Sequence, residues 1–242
     1  MCGRFVSASP PSQIADYFDV DEADTTALEA NYNVAPTNDI YVVYDDGGLR
    51  RLDAFHWGLV PSWAKDISVG NRVINARAET LATKPAFKKL LATRRCIVPV
   101  DGFYEWKKLP GQKRKQPYYI TPAGGGPFAF AGLWTQWRGQ EGGGEVVLRS
   151  TTIVTGPPNE KMAELHDRMP VMLPPSAWSE WLDPAQQDLE AVGRFLVPAA
   201  SELITFHPVS TEVNNVRHKG AHLVDPVELG PDGLALEPTP GS

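Results

Sequence analysis

Apolar residues in this chain fall mostly into short runs bounded by glycine, proline or charge, rather than into long stripes of helical period. The runs at 40–44, 96–100, 118–120, 128–134, 146–148, 151–155 and 203–206 are rich in β-branched and aromatic residues, and they predict strands. Asp45-Asp46-Gly47-Gly48 lies between two such runs and predicts a hairpin turn. Helical spacing is rarer. Residues 9–18 place Ile14, Tyr17 and Phe18 at i, i+3 and i+4 behind a cap candidate, Ser9. Residues 78–92, 159–165, 176–182 and 185–196 also read as helices. Strands dominate without regular strand–helix–strand alternation, so the expected class is a β-rich α+β fold. Residues 139–145 hold four glycines and predict a flexible hairpin loop; they lack the strand–helix context of a phosphate cradle.

Length and composition narrow this picture. The 242 residues, 42% of them hydrophobic, suffice for a sizeable core in one domain, read here as 1–225. The segment 226–242, acidic and rich in proline and glycine, is expected to be a disordered tail. No run of 18 apolar residues occurs, and the first residues carry no basic start followed by an apolar stretch. Membrane insertion and secretion are therefore not expected, and the cytoplasm is the expected location. Two cysteines, Cys2 and Cys96, are too few for a disulfide scaffold or a zinc site built on cysteine pairs.

Charge changes the picture more. The net charge is −6, yet residues 84–115 hold ten Lys/Arg and two acids, whereas 16–29 hold six acids and no Lys or Arg. An acidic chain does not coat nucleic acid with its whole surface, but a local basic face remains open. The plain alternative for the basic block is a solvated loop and helix face.

Candidate chemistry begins at Cys2. Removal of Met1 would give this residue a free α-amine beside its thiol. An α-amine has a pKa near 8, about two units below lysine, so more of it is nucleophilic at neutral pH. A 1,2-aminothiol condenses with an aldehyde through an imine to a five-membered thiazolidine. The plain alternative is a small buried hydrophobe, which is also the reading for Cys96. Asn75 and Arg77 precede a predicted helix; Arg77 suits a phosphate, and Asn75 can donate and accept near a nucleophile or cap the helix. Glu105 lies among aromatics in Gly102-Phe103-Tyr104-Glu105-Trp106, a setting suited to acid–base work or simply a strand face. His166 is a candidate proton shuttle and Arg168 a second phosphate ligand. Trp63, in an aromatic turn at 57–63, could stack on a base or fill the core. Five histidines without a His-Glu-x-x-His pattern argue against a metal.

Together and in this order, these segments resemble one family. Met1-Cys2-Gly3-Arg4-Phe5, Tyr32-Asn33-Val34-Ala35-Pro36, the 57–63 turn, Ile74-Asn75-Ala76-Arg77-Ala78-Glu79-Thr80, residues 95–106, Ala131-Gly132-Leu133-Trp134, His166-Asp167-Arg168-Met169-Pro170 and Pro208-Val209-Ser210 with Asn215 are similar to the SRAP (SOS response-associated peptidase) family. The resemblance covers residues 2 to about 225. It implies a single domain, a pseudo-barrel of mostly antiparallel strands flanked by helices. It also implies binding of single-stranded DNA at abasic sites and a covalent thiazolidine link between Cys2 and the ring-opened sugar. Catalytic roles are implied for Cys2, Asn75, Glu105 and His166, and DNA contacts for Arg4, Asn33, Pro36, Trp63, Arg77 and Arg168. No cofactor, metal or membrane is implied, and a monomer is expected. The family name adds peptidase activity. A cysteine peptidase with His166 as base, and a non-covalent binder of single-stranded DNA, remain the alternatives.

Overall fold

A computed structural model describes residues 2–24, 27–141 and 144–236. Thirteen strands are described: β1 (Phe5–Ser7), β2 (Glu22–Ala23), β3 (Asn31–Val34), β4 (Asp39–Asp46), β5 (Leu49–Trp57), β6 (Asn75–Arg77), β7 (Arg95–Val100), β8 (Gly102–Lys108), β9 (Lys115–Pro122), β10 (Phe128–Glu141), β11 (Gly144–Gly156), β12 (Met169–Pro170) and β13 (Ile204–Pro208). The helices among the described residues are short: α1 (Pro11–Tyr17), α2 (Ala78–Leu81), α3 (Pro85–Thr93), α4 (Glu160–Ala163), α5 (Trp178–Leu182) and α6 (Leu189–Gly193). None is long and apolar enough to cross a membrane.

The larger sheet runs β12-β11-β10-β7-β4-β5-β2, and β5 pairs back to β11 in parallel. That pairing closes β11, β10, β7, β4 and β5 into a five-stranded ring, while the other pairs inside it are antiparallel. The smaller sheet runs β13-β9-β8-β1-β3. This is the expected β-rich α+β architecture. Strand alternation divides the core. Val42, Tyr44, Cys96, Val98, Val100 and Phe130 belong to a cluster that also holds Cys2, Phe5 and Phe103. Tyr41, Val43, Ile97, Ala129 and Ala131 pack with Phe87, Leu91, Trp178 and Trp181, under the helices.

The β4–β5 hairpin forms at Gly47 and Gly48, both with positive φ, as the sequence predicts. β10 and β11 pair out to Glu141↔Gly144, so most of the loop expected at 139–145 is strand, while residues 142 and 143 lie outside the described residues. The helix expected over 78–92 is broken into α2 and α3, because Pro85 constrains the residue before it and restarts the helix. Ser9 does not cap α1. Its hydroxyl donates to Asp101 instead, and Pro10 occupies the cap position. Only 189–193 of the helix expected at 185–196 forms, capped by Asp188.

Two features were not legible in the sequence. Arg95, inside the basic block, is buried; its guanidinium donates to the carbonyls of Leu91, Ala92, Trp181 and Asp183 and ties the ends of α3 and α5 together. The segment expected to be a disordered tail from 226 is placed chain up to residue 236. It bridges Val209↔Pro226 and Leu229↔Ala235, and Ala235 N donates to Gln116 Oε1 at 2.6 Å. Residues 237–242 lie outside the described residues.

Candidate active site

Four of the expected residues converge at one end of the inner cluster. Cys2 leads into β1 and is fully buried. Asn75 opens β6, which pairs in parallel with β11 through Ile153↔Asn75. Its Nδ2 donates to the Cys2 carbonyl at 2.8 Å. Its Oδ1 is buried with no hydrogen-bond partner among the described residues. Glu105 lies on β8 and is only 2% exposed. His166 follows α4, whose last turn it extends through its N–H to Met162 O at 2.9 Å. The His166 Nε2 stands 4.0 Å from Glu105 Oε2, too long for a direct hydrogen bond and close enough for charge. Its Nδ1 accepts from the Arg168 N–H at 3.1 Å and stands 2.9 Å from Asp167 Oδ1. The Asp167 carboxylate calls for a proton on Nδ1 and the Arg168 N–H for a bare Nδ1, and in either state Nε2 is the nitrogen that faces Glu105. The His166 side chain is 23% exposed and forms the solvent side of the group.

The electrostatics of Cys2 follow from this setting. Burial pushes its thiol well above the ordinary cysteine range, and the nearby Glu105 carboxylate pushes it further the same way. The thiol is therefore held protonated, unlike the thiolates of cysteine hydrolases, whose pKa is lowered by a neighbouring cation.

The expected DNA contacts divide into three kinds. Trp63 is 73% exposed at the tip of the loop after β5. That loop is pinned where Gly58, at φ +141, crosses Gly70, and a Cβ on Gly58 would stand 2.7 Å from Gly70 O. Its base is held by the Trp137 Nε1 bond to Ala64 O. Arg77 is exposed, and Pro36 is partly exposed beyond β3. The other three residues are engaged inside the protein. Arg168 forks onto Glu79 and also donates to Thr155 O, so a phosphate must compete with a carboxylate for it. Hydrogen bonding from Arg168 lowers the Glu79 pKa. Arg4 is half-buried, donates to Asn33 Oδ1 at 2.7 Å and Val213 O at 2.8 Å, and stands 5.7 Å over the Trp106 ring. Asn33 is fully buried and donates to the carbonyls of Val213, Asn215 and His218. It clasps the 213–218 loop and positions Arg4, rather than facing a ligand.

Sequence reading missed Glu79 and Thr155, which hold Arg168. Glu79 stands two residues after Arg77 in the 74–80 segment, where the sequence reading gave it no role. Among the described residues no group of three His, Cys, Asp or Glu is placed to hold a metal. A cavity of about 510 Å³, lined by Tyr17, Phe128, Trp178 and Phe195 among others, includes none of these site residues.

The family model "SOS response associated peptidase (SRAP)" matches residues 1–216. The chain is 41% identical over 226 residues to the abasic site processing protein YoaM of Bacillus subtilis, covering 93% of this chain and 98% of YoaM. It is 34% identical to the abasic site processing protein YedK of Escherichia coli, covering 94% of this chain and all of YedK. A crystal structure of a protein from Bacteroides thetaiotaomicron superposes with a TM-score of 0.81 at 22% identity, over 94% of this chain and all of that one, and shares the fold.

Proposed function

The chain belongs to the SOS response associated peptidase family, and from that premise we propose that it captures abasic sites in single-stranded DNA as a covalent adduct on Cys2, shielding the lesion. The observation that carries this reading is the burial of Cys2 between Asn75 and Glu105, with His166 behind Glu105. Relatives named for abasic site processing support the substrate. An opened abasic sugar presents an aldehyde, and a processed Cys2 presents an aminothiol.

The sequence of steps balances without a cofactor. Hydrolysis of the Met1–Cys2 bond consumes water and frees the α-amine. The amine attacks the C1′ aldehyde; a C–N bond forms, and a proton moves from nitrogen to the carbonyl oxygen. Protonation of that hydroxyl expels water, and loss of the remaining nitrogen proton leaves an imine. Cys2 Sγ then attacks the imine carbon, the C=N electrons pass to nitrogen, and the thiol proton ends there. One water is lost overall from aldehyde and aminothiol. Because the thiol is held protonated, the amine acts first and the sulfur second. Glu105 is the group beside the thiol that moves these protons, and His166 connects it to solvent. Asn75 holds the Cys2 carbonyl, and its unpartnered Oδ1 suits an N–H of the amine. Arg77, Arg168 and Arg4 hold the backbone, which is charged and carries no sequence information.

A cysteine peptidase acting on other chains is less well supported. It needs a thiolate beside an imidazolium, whereas here His166 Nε2 faces Glu105 and the thiol pKa is raised.

The test mixes processed protein with a single-stranded oligonucleotide containing uracil, plus uracil glycosylase, on a denaturing gel. A heat-stable adduct is expected from the wild type and none from Cys2→Ala. Cys2→Ser should leave only a labile imine, with strand cleavage by β-elimination. A residue inserted ahead of Cys2 should abolish the adduct. A heat-stable adduct from Cys2→Ala would overturn the proposal.

A further inference from the structure

The basic block at 84–115 is split by the fold. Lys84, Lys88 and Lys89 lie at and on α3, on the helical side, Arg94 follows α3 with its guanidinium over the Trp134 ring, and Arg95 is buried. The remaining cations sit on one arm, the β8–β9 hairpin. Between Trp106 and Gln116 that hairpin carries Lys107, Lys108, Lys113, Arg114 and Lys115 and no acid. Arg114 lines a shallow pocket with Asp232 and Thr211. Lys107, Lys108, Lys113 and Lys115 make no ion pair with the described residues, in a chain whose net charge is −6.

Two further observations give this arm a direction and a partner. β8 is the strand of Glu105. Alternation places Lys107 on the same face as Glu105, about 7 Å farther out, and Lys108 about 10 Å out. On the opposite face Trp106 lies under the Arg4 guanidinium and donates through Nε1 to Asn214 Oδ1. Lys107 thus continues the Glu105 face, and Lys108 lies beyond Trp106 and Arg4 on the other, so the arm carries cations outward from the site on both faces. In addition, Lys108 and Lys115 are direct cross-strand partners. Like charges placed directly opposite destabilise a hairpin, so folding alone does not explain the pair. A polyanion relieves it.

We propose that the β8–β9 hairpin is a nucleic-acid-binding arm whose four lysines take phosphates of the DNA strand flanking the lesion. This rests on the DNA-binding reading above and extends it from the damaged sugar to the strand beside it.

The experiment compares wild type with the Lys107→Gln/Lys108→Gln/Lys113→Gln/Lys115→Gln variant, using 5- and 20-nucleotide single strands with and without a central abasic site. On undamaged 20-mers, the slope of log affinity against log salt should flatten by up to about 3, at about 0.7 per phosphate contact on a single strand. Crosslinking to the abasic 5-mer should be equal in the two proteins, while the wild-type preference for the 20-mer should fall at least tenfold. An unchanged slope and an unchanged length preference would overturn the arm. Absence of any wild-type adduct would instead count against the proposed capture, and the slope on undamaged DNA would still test the arm. Lys115→Glu separates binding from folding: it should raise the melting temperature by removing the Lys108–Lys115 opposition, and still weaken 20-mer binding. A lowered melting temperature with unchanged binding would overturn the arm as well.

Discussion

The two cysteines share their burial and differ in the polar groups around them, and that difference supports Cys2 as the proposed nucleophile. Cys2 and Cys96 are both free, both fully buried and both in the same apolar cluster. Burial raises both thiols, Cys96 to about 12. The polar group that touches Cys96 is satisfied: Thr151 Oγ1 stands 3.4 Å from Sγ and donates to Leu133 O at 3.0 Å. Around Cys2 stand a buried carboxylate, an amide with an unpartnered acceptor, and an imidazole that reaches solvent. Unsatisfied buried polar groups are expensive to keep, and a fold retains them where a ligand or reaction uses them. Burial alone therefore does not tell the two thiols apart, and substitutions at the two cysteines should separate burial from the proposed capture.

The largest contrast is a crossed pair of substitutions. Cys96→Ala should keep the abasic adduct at wild-type yield and lower stability by about 1–2 kcal/mol through the space it leaves. Cys2→Ala should lose the adduct. Gel yield and chemical denaturation read the two quantities separately. An adduct lost with Cys96→Ala in a folded protein would erase the distinction between the cysteines.

Glu105→Gln sharpens it next. The amide keeps the shape but moves no protons, so the rate of adduct formation should fall roughly 10²- to 10⁴-fold, with binding of undamaged DNA unchanged. Rapid-quench crosslinking measures this, and a rate within twofold of wild type would remove Glu105 from the proton path.

The counterpart on the Cys96 side is Gly132, where an added Cβ would stand 2.8 Å from Cys96 Sγ and 3.2 Å from Thr152 O. Gly132→Ala should cost about 1–3 kcal/mol of stability. In the Cys96→Ala background part of that cost should vanish, giving a double-mutant coupling of about 1 kcal/mol, because the sulfur that clashes is gone. Additive effects would place the clash on the Thr152 backbone instead.

What the sequence made legible follows the same division between local pattern and long-range pairing. Alternating apolar runs gave the strands, the Gly47–Gly48 turn was visible, and the aminothiol at Cys2 and the carboxylate at Glu105 could be singled out one residue at a time. Contacts with distant partners were not legible. Asn33 looked like a DNA contact because its three acceptors lie about 180 residues away. Arg168 was read as a phosphate ligand without the carboxylate it already holds, because Glu79 precedes it by 89 residues. Arg95 looked like part of a basic surface because the carbonyls that bury it belong partly to α5. The 226–236 segment has the composition of a tail, but Gln116 on β9 gives it a partner that composition cannot show.

The smallest expected effect concerns alkaline pH, and it tests whether Glu105 belongs to Cys2 alone. A thiol whose folded pKa is raised contributes stability that is fully present below the ordinary value of 9.0 and is lost as pH rises through the folded value. Stability should therefore decline above pH 9, and Cys96→Ala should decline less than wild type, the remainder coming from Cys2 and from buried tyrosines such as Tyr104 and Tyr119. The carboxylate raises only the Cys2 thiol. Glu105→Gln should thus shift the pH profile of Cys2 alkylation to lower pH and leave that of Cys96 unmoved, as read by peptide mass spectrometry after brief iodoacetamide pulses. Equal shifts at both residues would mean that the substitution had loosened the shared core, and the electrostatic link between Glu105 and Cys2 would lose its support.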